Sequence, residues 1–334
     1  MLEKPDIQDQ LISTRVQEEY GLQVAEITFQ PLGADVDTAV YRVETEQGTT
    51  YFLKLRKGVF DQTSVTVPQF LHSQVLQAVI PPLETRVGRL WGNLDAYKLI
   101  LFPFIEEKDD PESELADQQW IEFGAALKGI HNAQVPPSLK VQLLREVYSP
   151  DGRESVKAFQ KSVEHCTFDE PVAARLAAST RLHRPEIDHL VRRAEELAQA
   201  LQARPLEFVL CHSDVHTGNL LIGADGALHI VDWDNPILAP RERDLMFIGG
   251  GVGYGMRSAV GESLFDQGYG STEVDKMALA YYRYERIVQD IAEFCKQLLL
   301  NQEGCEDREQ SYQWFTSSFK PGHEIEIARK TDRF

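Results

Sequence analysis

Between Val209 and Pro240 the chain gathers the side chains needed to deprotonate a hydroxyl beside a divalent cation. The stretch reads VLCHSDVHTGNLLIGADGALHIVDWDNPILAP. Asp214 offers a carboxylate able to accept a proton, Asn219 an amide oxygen, and Asp232 a second carboxylate. Hard oxygen ligands suit a cation such as Mg2+, and a positioned carboxylate suits general-base work. Two apolar runs, 220–222 and 227–231, flank Gly223-Ala224-Asp225-Gly226. Asp-Gly between apolar runs is a strong hairpin signal. A hairpin returns the chain to its starting point, so the spacing predicts Asn219 and Asp232 as neighbours, with Asp214 just upstream on the same loop.

Such a cluster needs elements to hold it, and the rest of the chain supplies candidates. Residues 6–20 read as an amphipathic helix ended by Gly21, with Ile7, Leu11, Ile12 and Val16 on one face. Strand patterns follow at 22–31, 39–46 and 49–56, the last two joined through Glu46-Gln47-Gly48. The loop 31–38, with Gly33, is short enough to lay backbone N–H groups over phosphates. Period-2 alternation sets Lys54 on the same side as Phe52, where it is either a cation aimed into a cleft or a snorkelling edge lysine. A helix is expected over 68–79, opened near Thr66 and stopped by Pro81-Pro82. A second hairpin is expected at 85–91 and 96–104, turning at 91–94. The run Glu106-Glu107-Lys108-Asp109-Asp110-Pro111 then reads as a hinge.

Beyond residue 105 the periodicity is helical: 116–132, two or three helices over 139–204, a short one at 241–248, and a long one at 273–300 before a polar tail. The layout is α+β, with a β-rich N-terminal lobe (1–105), a larger helical C-terminal lobe (106–334) and a cleft between them.

Composition narrows the function classes. The net charge is −18, which disfavours nucleic acid as a partner. Residues 1–105 hold 9 Lys and Arg against 13 Asp and Glu, a balance of −4, which leaves −14 for residues 106–334. That surplus suits a cationic small substrate on the second lobe. No apolar run reaches the roughly 18–20 residues of a membrane span. The opening MLEKPDIQDQ lacks the layout of a signal peptide. Cys166, Cys211, Cys295 and Cys305 form no C-x-x-C pair and read as reduced thiols. A cytoplasmic monomer is expected.

The polar cluster also resembles a known family. His212-Ser213-Asp214-Val215-His216-Thr217-Gly218-Asn219 fits the kinase catalytic-loop pattern H-R-D-x-x-x-x-N, with Ser213 in place of Arg. Asp232-Trp233-Asp234 stands where protein kinases carry D-F-G, and Lys54 where they carry the strand lysine. The missing Gly after Asp232 turns the resemblance toward the aminoglycoside phosphotransferase family. Within it, VDWDNPILAPRERDLMFIGGG is most similar to the spectinomycin-modifying members.

The resemblance implies a bilobal protein-kinase-like fold, ATP or GTP with Mg2+ as cofactors, and phosphoryl transfer to a hydroxyl of a small cationic aminocyclitol or aminoglycoside antibiotic, conferring resistance. Asp214 would be the catalytic base, and Asn219 and Asp232 the metal ligands. Lys54 and the loop at Gly33 would hold phosphates. Leu221 would floor the adenine, with backbone groups of Phe102, Phe104 and Ile105 at its edge. His212 and Asp244 would support the loop, and His216 would lie near the γ-phosphate or pack. Asp234, Asp266, Tyr284, Glu285, Asp290 and the 139–165 region are the candidates for substrate. The run Gly249–Gly255 fits no dinucleotide fingerprint and reads as a loop at the substrate mouth.

One departure stands out. Kinases pair the strand lysine with a helix glutamate, yet 68–79 contains no acid. Glu84, another acid, or Asp232 must serve Lys54 instead. Two other readings stay open: a metabolic kinase of choline, a sugar or an amino alcohol, and a non-catalytic nucleotide- or ligand-binding module.

Overall fold

The computed structural model describes residues 3–33, 35, 37–74, 76–107, 115–249, 259–300 and 305–334. In chain order the elements are α1 (Asp9–Tyr20), β1 (Val24–Gln30), β2 (Thr38–Thr45), β3 (Thr50–Lys57), α2 (Thr63–Ser73), β4 (Gly92–Leu94), β5 (Tyr97–Pro103), α3 (Asp117–His131), α4 (Pro137–Lys140), β6 (Leu144–Arg145), α5 (Asp151–His165), α6 (Pro171–Leu182) and α7 (Arg184–Gln202). There follow β7 (Val209–Cys211), β8 (Leu220–Ile222), β9 (Leu228–Ile230), β10 (Ile237–Ala239), α8 (Glu242–Leu245), α9 (Ala259–Tyr269), α10 (Lys276–Cys295), α11 (Cys305–Ser317) and α12 (Glu324–Thr331). The chain divides into two compact units. The first takes residues 1–113, 133–143 and 218–236; the second takes 114–132, 144–217 and 237–334.

Unit 1 is built on an antiparallel sheet of order β1-β2-β3-β5-β4. Successive strand side chains point to opposite faces. On β3, Leu53 and Leu55 are fully buried and join Ile12 and Val16 of α1, Tyr41, Val43, Leu99 and Leu101 in one core. Lys54 therefore faces the other way, with Phe52 and Arg56. Gly21 ends α1 in the left-handed region at φ 74, its N–H donating to the Gln17 carbonyl, a conformation that costs glycine nothing.

The β8–β9 hairpin belongs to this unit because its outer edges are hydrogen-bonded there. Ile230 N–H donates to the Ala78 carbonyl at 2.7 Å, and Ala224 N–H donates to the Glu106 carbonyl at 2.8 Å. Bridges Val79–Ile230 and Glu107–Gly223 extend both contacts.

Two expected elements are displaced. The helix expected at 68–79 is α2, which starts at Thr63. Asp61 sets that start by accepting the Thr63 N–H at 2.8 Å. Pro68 thus sits inside the helix rather than near its opening, at the expense of one i→i−4 bond. Residues 85–91 are not a strand: Thr85 and Arg89 close a turn on themselves. The hairpin turns at Asp95-Ala96, because Leu94 pairs with Tyr97, and Asp95 takes φ 49 there. Aspartate tolerates that region better than most residues.

Unit 2 is mainly helical around α10, which packs on α5, α7, α8 and α12. Asp275 caps α10 by accepting the N–H groups of Met277 and Ala278, so the helix begins three residues after the expected 273. The sequence pattern gives no sign of α9, which lies directly on α3. A Cβ at Gly124 would stand 2.2 Å from the Phe265 carbonyl, and one at Gly268 1.9 Å from the Ile121 carbonyl. Only glycines allow the two backbones to approach so closely. A small sheet of order β6-β10-β7 completes the unit. Among the described residues no helix is long and apolar enough to cross a membrane.

Candidate active site

The Lys54 side chain, 10% exposed, ends between two carboxylates. Its Nζ lies 2.7 Å from Asp232 Oδ1 and 2.7 Å from Asp234 Oδ1. Asp234 also receives Arg56 Nη1 at 2.8 Å. Burial alone lowers the pKa of Lys54, but Asp232 and then Asp234 more than offset it, so the ammonium is held charged. This answers the question of its partner: α2 carries no acid, Glu84 is exposed, and the two aspartates after β9 serve instead.

The hairpin fixes the neighbourhood of Asp232. Leu220 pairs with Ile230, and the Val231 N–H donates to the Asn219 carbonyl at 3.0 Å. Asn219 and Asp232 therefore flank one hairpin mouth, the juxtaposition expected from the Asp-Gly turn. Asp232 takes φ 65, the left-handed region that few non-glycine residues other than Asp and Asn enter. One amide oxygen and one carboxylate 45% exposed form a hard-oxygen set that fits Mg2+. In the same unit the partly buried Leu221 lies on β8, whose hairpin bonds the backbone at residues 106–107. Phe102 lies next to the end of β5, opposite Phe52. Phe104 and Ile105 are partly buried, with the Arg42 guanidinium 5.4 Å from the Phe104 ring centre. Gly33 takes φ 85, and Asp35 accepts the Asp37 N–H at 2.9 Å.

In unit 2 the residues 212–216 are shaped by Asp244, which is fully buried. Its carboxylate accepts the N–H groups of His212 at 2.9 Å and Ser213 at 2.6 Å. Its Oδ2 also meets His131 Nε2 at 3.0 Å, while His131 Nδ1 lies 2.6 Å from the Tyr269 hydroxyl. Burial pushes the Asp244 carboxyl up, but the His131 contact and the backbone donors bring it below its ordinary value. These two bonds hold Ser213 at φ 71, so the chain reverses there and delivers Asp214. The Asp214 N–H donates to His212 Nδ1 at 3.2 Å, and the His216 N–H to the Asp214 carbonyl at 3.0 Å.

The Asp214 carboxylate meets Arg286 Nη1 of α10 at 2.6 Å through Oδ1, while Oδ2 lies 3.8 Å from His216 Nε2. Burial raises the Asp214 pKa, but Arg286, then His216 and His212, reverse this and keep it below the ordinary value. The Nε of Arg286 donates to both oxygens of Asp290, at 2.9 and 3.1 Å. The sequence pointed to Asp290 as a substrate contact but passed over Arg286, as it passed over Arg56 and His131. An Arg four residues before an Asp on a helix reads as an ordinary surface pair, and nothing local tells of a third partner 72 residues away.

The remaining substrate candidates are dispersed. Asp266 is exposed on α9. Both oxygens of Asp234 are engaged by Lys54 and Arg56. Tyr284 and Glu285 are 1% and 2% exposed; the first packs on His189 and the second stands 3.4 Å from Arg153. The glycine-rich run is described only at Gly249, and its residues 250–255 lie outside the described residues.

The phosphotransferase enzyme family matches residues 28–270. A solved structure of spectinomycin phosphotransferase, APH(9)-Ia, in complex with ADP and spectinomycin is 36% identical, covers 99% of this chain and 100% of that one, and superposes with a TM-score of 0.90. The AMP-bound complex of spectinomycin phosphotransferase is also 36% identical, over 98% of this chain and 100% of that one, with a TM-score of 0.86. Amicoumacin kinase hAmiN, in complex with AMP-PNP and Ca2+, is 17% identical over 97% of this chain and 94% of that one, with a TM-score of 0.61, a likeness of fold alone. Among curated proteins no match was found.

Proposed function

The chain belongs to the phosphotransferase enzyme family, and on that premise we propose that it transfers the γ-phosphoryl group of ATP to a hydroxyl of a small cationic aminocyclitol such as spectinomycin. One observation carries the reaction: Lys54 meets Asp232 at 2.7 Å, at the hairpin mouth that Asn219 shares. The choice of acceptor is supported by the 36% identity to spectinomycin phosphotransferase over 99% of this chain and by the acidic surplus of residues 106–334.

In this reading Asn219 and Asp232 would hold Mg2+. Held there, the cation would supply positive charge against the negative charge that develops on the transferred group. Lys54 grips phosphate oxygens, its charge secured by the two carboxylates beside it. Asp234 keeps Arg56 as a partner when Lys54 turns to phosphate. The backbone at 102–105 and the Leu221 side chain receive the adenine. Asp214 accepts or orients the proton of the attacking hydroxyl. Since the transferred group carries most of its charge on its own oxygens, orientation of that hydroxyl matters more than the strength of the base.

The test is transfer of labelled phosphate from ATP, and separately from GTP, to a panel holding spectinomycin, aminoglycosides, choline and ethanolamine, with Mg2+ and with chelator. Transfer to spectinomycin that stops on chelation is the expected result. Preference for choline or ethanolamine would move the chain to the metabolic kinases. No transfer to any hydroxyl compound would leave a binding module.

A further inference from the structure

We propose that Arg286, held in place by Asp290, is a positioning residue that fixes the carboxylate plane of Asp214 for the acceptor hydroxyl. The inference rests on the reading of Asp214 as the base and adds to it the device that aims it.

The terminal torsion of an aspartate is soft and roughly two-fold. A carboxylate tied only at its backbone therefore swivels. The backbone of Asp214 is tied by its N–H bond to His212 Nδ1, at 3.2 Å. Its carboxylate plane is set by Arg286 Nη1, 2.6 Å from Oδ1. Oδ2 lies on the side of His216, whose Nε2 is 3.8 Å away.

Arg286 is itself immobilised. Asp290, one helical turn further along α10, accepts from its Nε with both oxygens. The guanidinium stands 5.8 Å from the Phe247 ring centre, and Phe247 is 1% exposed. A planar fork can hold two carboxylates at fixed angles, whereas an ammonium acts as a point charge. Were Arg286 only a helix-surface cation, its pair with Asp290 would satisfy it. The contact with Asp214 from a different element is what that account leaves over. A neighbouring cation weakens a base, but the loose transition state of phosphoryl transfer demands an oriented carboxylate rather than a strong one.

The experiment uses the full chain, MgATP and spectinomycin, with the other aminocyclitols and aminoglycosides as further acceptors. It compares wild type with Arg286→Gln, Arg286→Lys, Asp290→Asn, the double variant Arg286→Gln/Asp290→Asn, and Asp214→Asn. Circular dichroism melts check folding. Misplacing a reacting group by about 1 Å costs on the order of 100-fold in rate, so Arg286→Gln is expected to lower kcat by roughly 10- to 100-fold with both KM values nearly unchanged. Arg286→Lys should recover part of the loss. Asp290→Asn should lose less, and the double variant should fall no further than Arg286→Gln, because Asp290 acts through Arg286.

Three results overturn the inference: kcat unchanged in Arg286→Gln, independent losses that multiply in the double variant, or a raised acceptor KM with kcat intact, which would make the pair a substrate contact. Should Arg286→Gln fail to fold, Arg286→Lys and Asp290→Asn give the same split between kcat and KM. If Asp214→Asn retains near-full turnover, the reading of Asp214 falls, and this inference with it. If Asp214→Asn is inactive while Arg286→Gln is not impaired, this inference alone falls. A wild type that transfers phosphate to no acceptor overturns both.

Discussion

Replacing Glu285 by Gln should change how stability depends on pH, and the size of the change can be worked from its surroundings. Glu285 is 2% exposed on α10, one residue before Arg286. Burial is the main influence on it and pushes its carboxyl up to about 7, against the ordinary 4.5, despite Arg153. Arg153 lies 3.4 Å away, but neither Arg153 Nε nor Glu285 Oε2 makes a hydrogen bond among the described residues. The pair thus attracts without the directed bonds that would repay desolvation. The sign follows from which state binds the proton. Below pH 4.5 the carboxyl is neutral folded and unfolded, and its contribution is full. Between 4.5 and 7 the unfolded chain ionises first, so the folded state loses ground as pH rises, and above 7 the loss is complete. A gap of about 2.5 pH units at 1.36 kcal/mol each gives a loss of roughly 3 kcal/mol. Gln cannot ionise, so it removes this dependence whatever constant offset it introduces. Urea unfolding of wild type and Glu285→Gln at intervals from pH 4.5 to 8 should show the difference between their stabilities shifting toward the variant by about 3 kcal/mol. Parallel curves would refute the reasoning, and would mean that Glu285 is ionised in the fold throughout.

Asp214→Ala should lower kcat by roughly 10²- to 10⁴-fold with ATP affinity nearly intact; steady-state kinetics check this, and a variant with near-full turnover removes Asp214 from the reaction. Lys54→Ala removes a charge-assisted bond worth about 1.5–3 kcal/mol, so kcat/KM for ATP should fall on the order of 10- to 100-fold. Unaltered nucleotide kinetics would show Lys54 to be occupied by its aspartates throughout turnover. Gly124→Ala would set a Cβ 2.2 Å from the Phe265 carbonyl, where backbone must move. Overpacking of that kind costs about 1–3 kcal/mol or more, visible as a lower midpoint in denaturant.

How much of this was legible beforehand depends on the range over which each feature is decided. The face of Lys54 was readable because alternation along β3 is strict and Leu53 and Leu55 commit the other face to the core. The mouth formed by Asn219 and Asp232 was readable because Asp225-Gly226 dictates a tight return. The start of α2 was misplaced because Pro68 looks like a first-turn residue, whereas the Asp61 cap further upstream decides it. The turn at Asp95 was missed because no glycine marks it. The long helix α10 misled for a different reason. Tyr281, Tyr282, Arg283, Tyr284 and Glu285 are all buried, since helices pack around α10 on several sides, and the rule that polar residues mark the wet face does not hold there.

That failure and the Asp214–Arg286 contact have one origin. A helix enclosed by neighbours cannot spend its charges on water, so each must find a partner: Arg283 the carbonyls of Met246 and Ile248, Glu285 the side chain of Arg153, and Arg286 both Asp290 and Asp214. Only in the last of these does the partner carry the proposed chemistry. The β unit brings Lys54, Asn219 and Asp232 together through pairings between strands and across one tight turn, which leave a signature in the local sequence. The carboxylate of the proposed base instead meets Arg286 on the central helix α10, a contact between residues 72 positions apart that leaves no signature in the local sequence. For this chain, the residues proposed to hold phosphate and metal are the ones a sequence pattern can nominate, while the contact of the proposed base with Arg286 is read from packing.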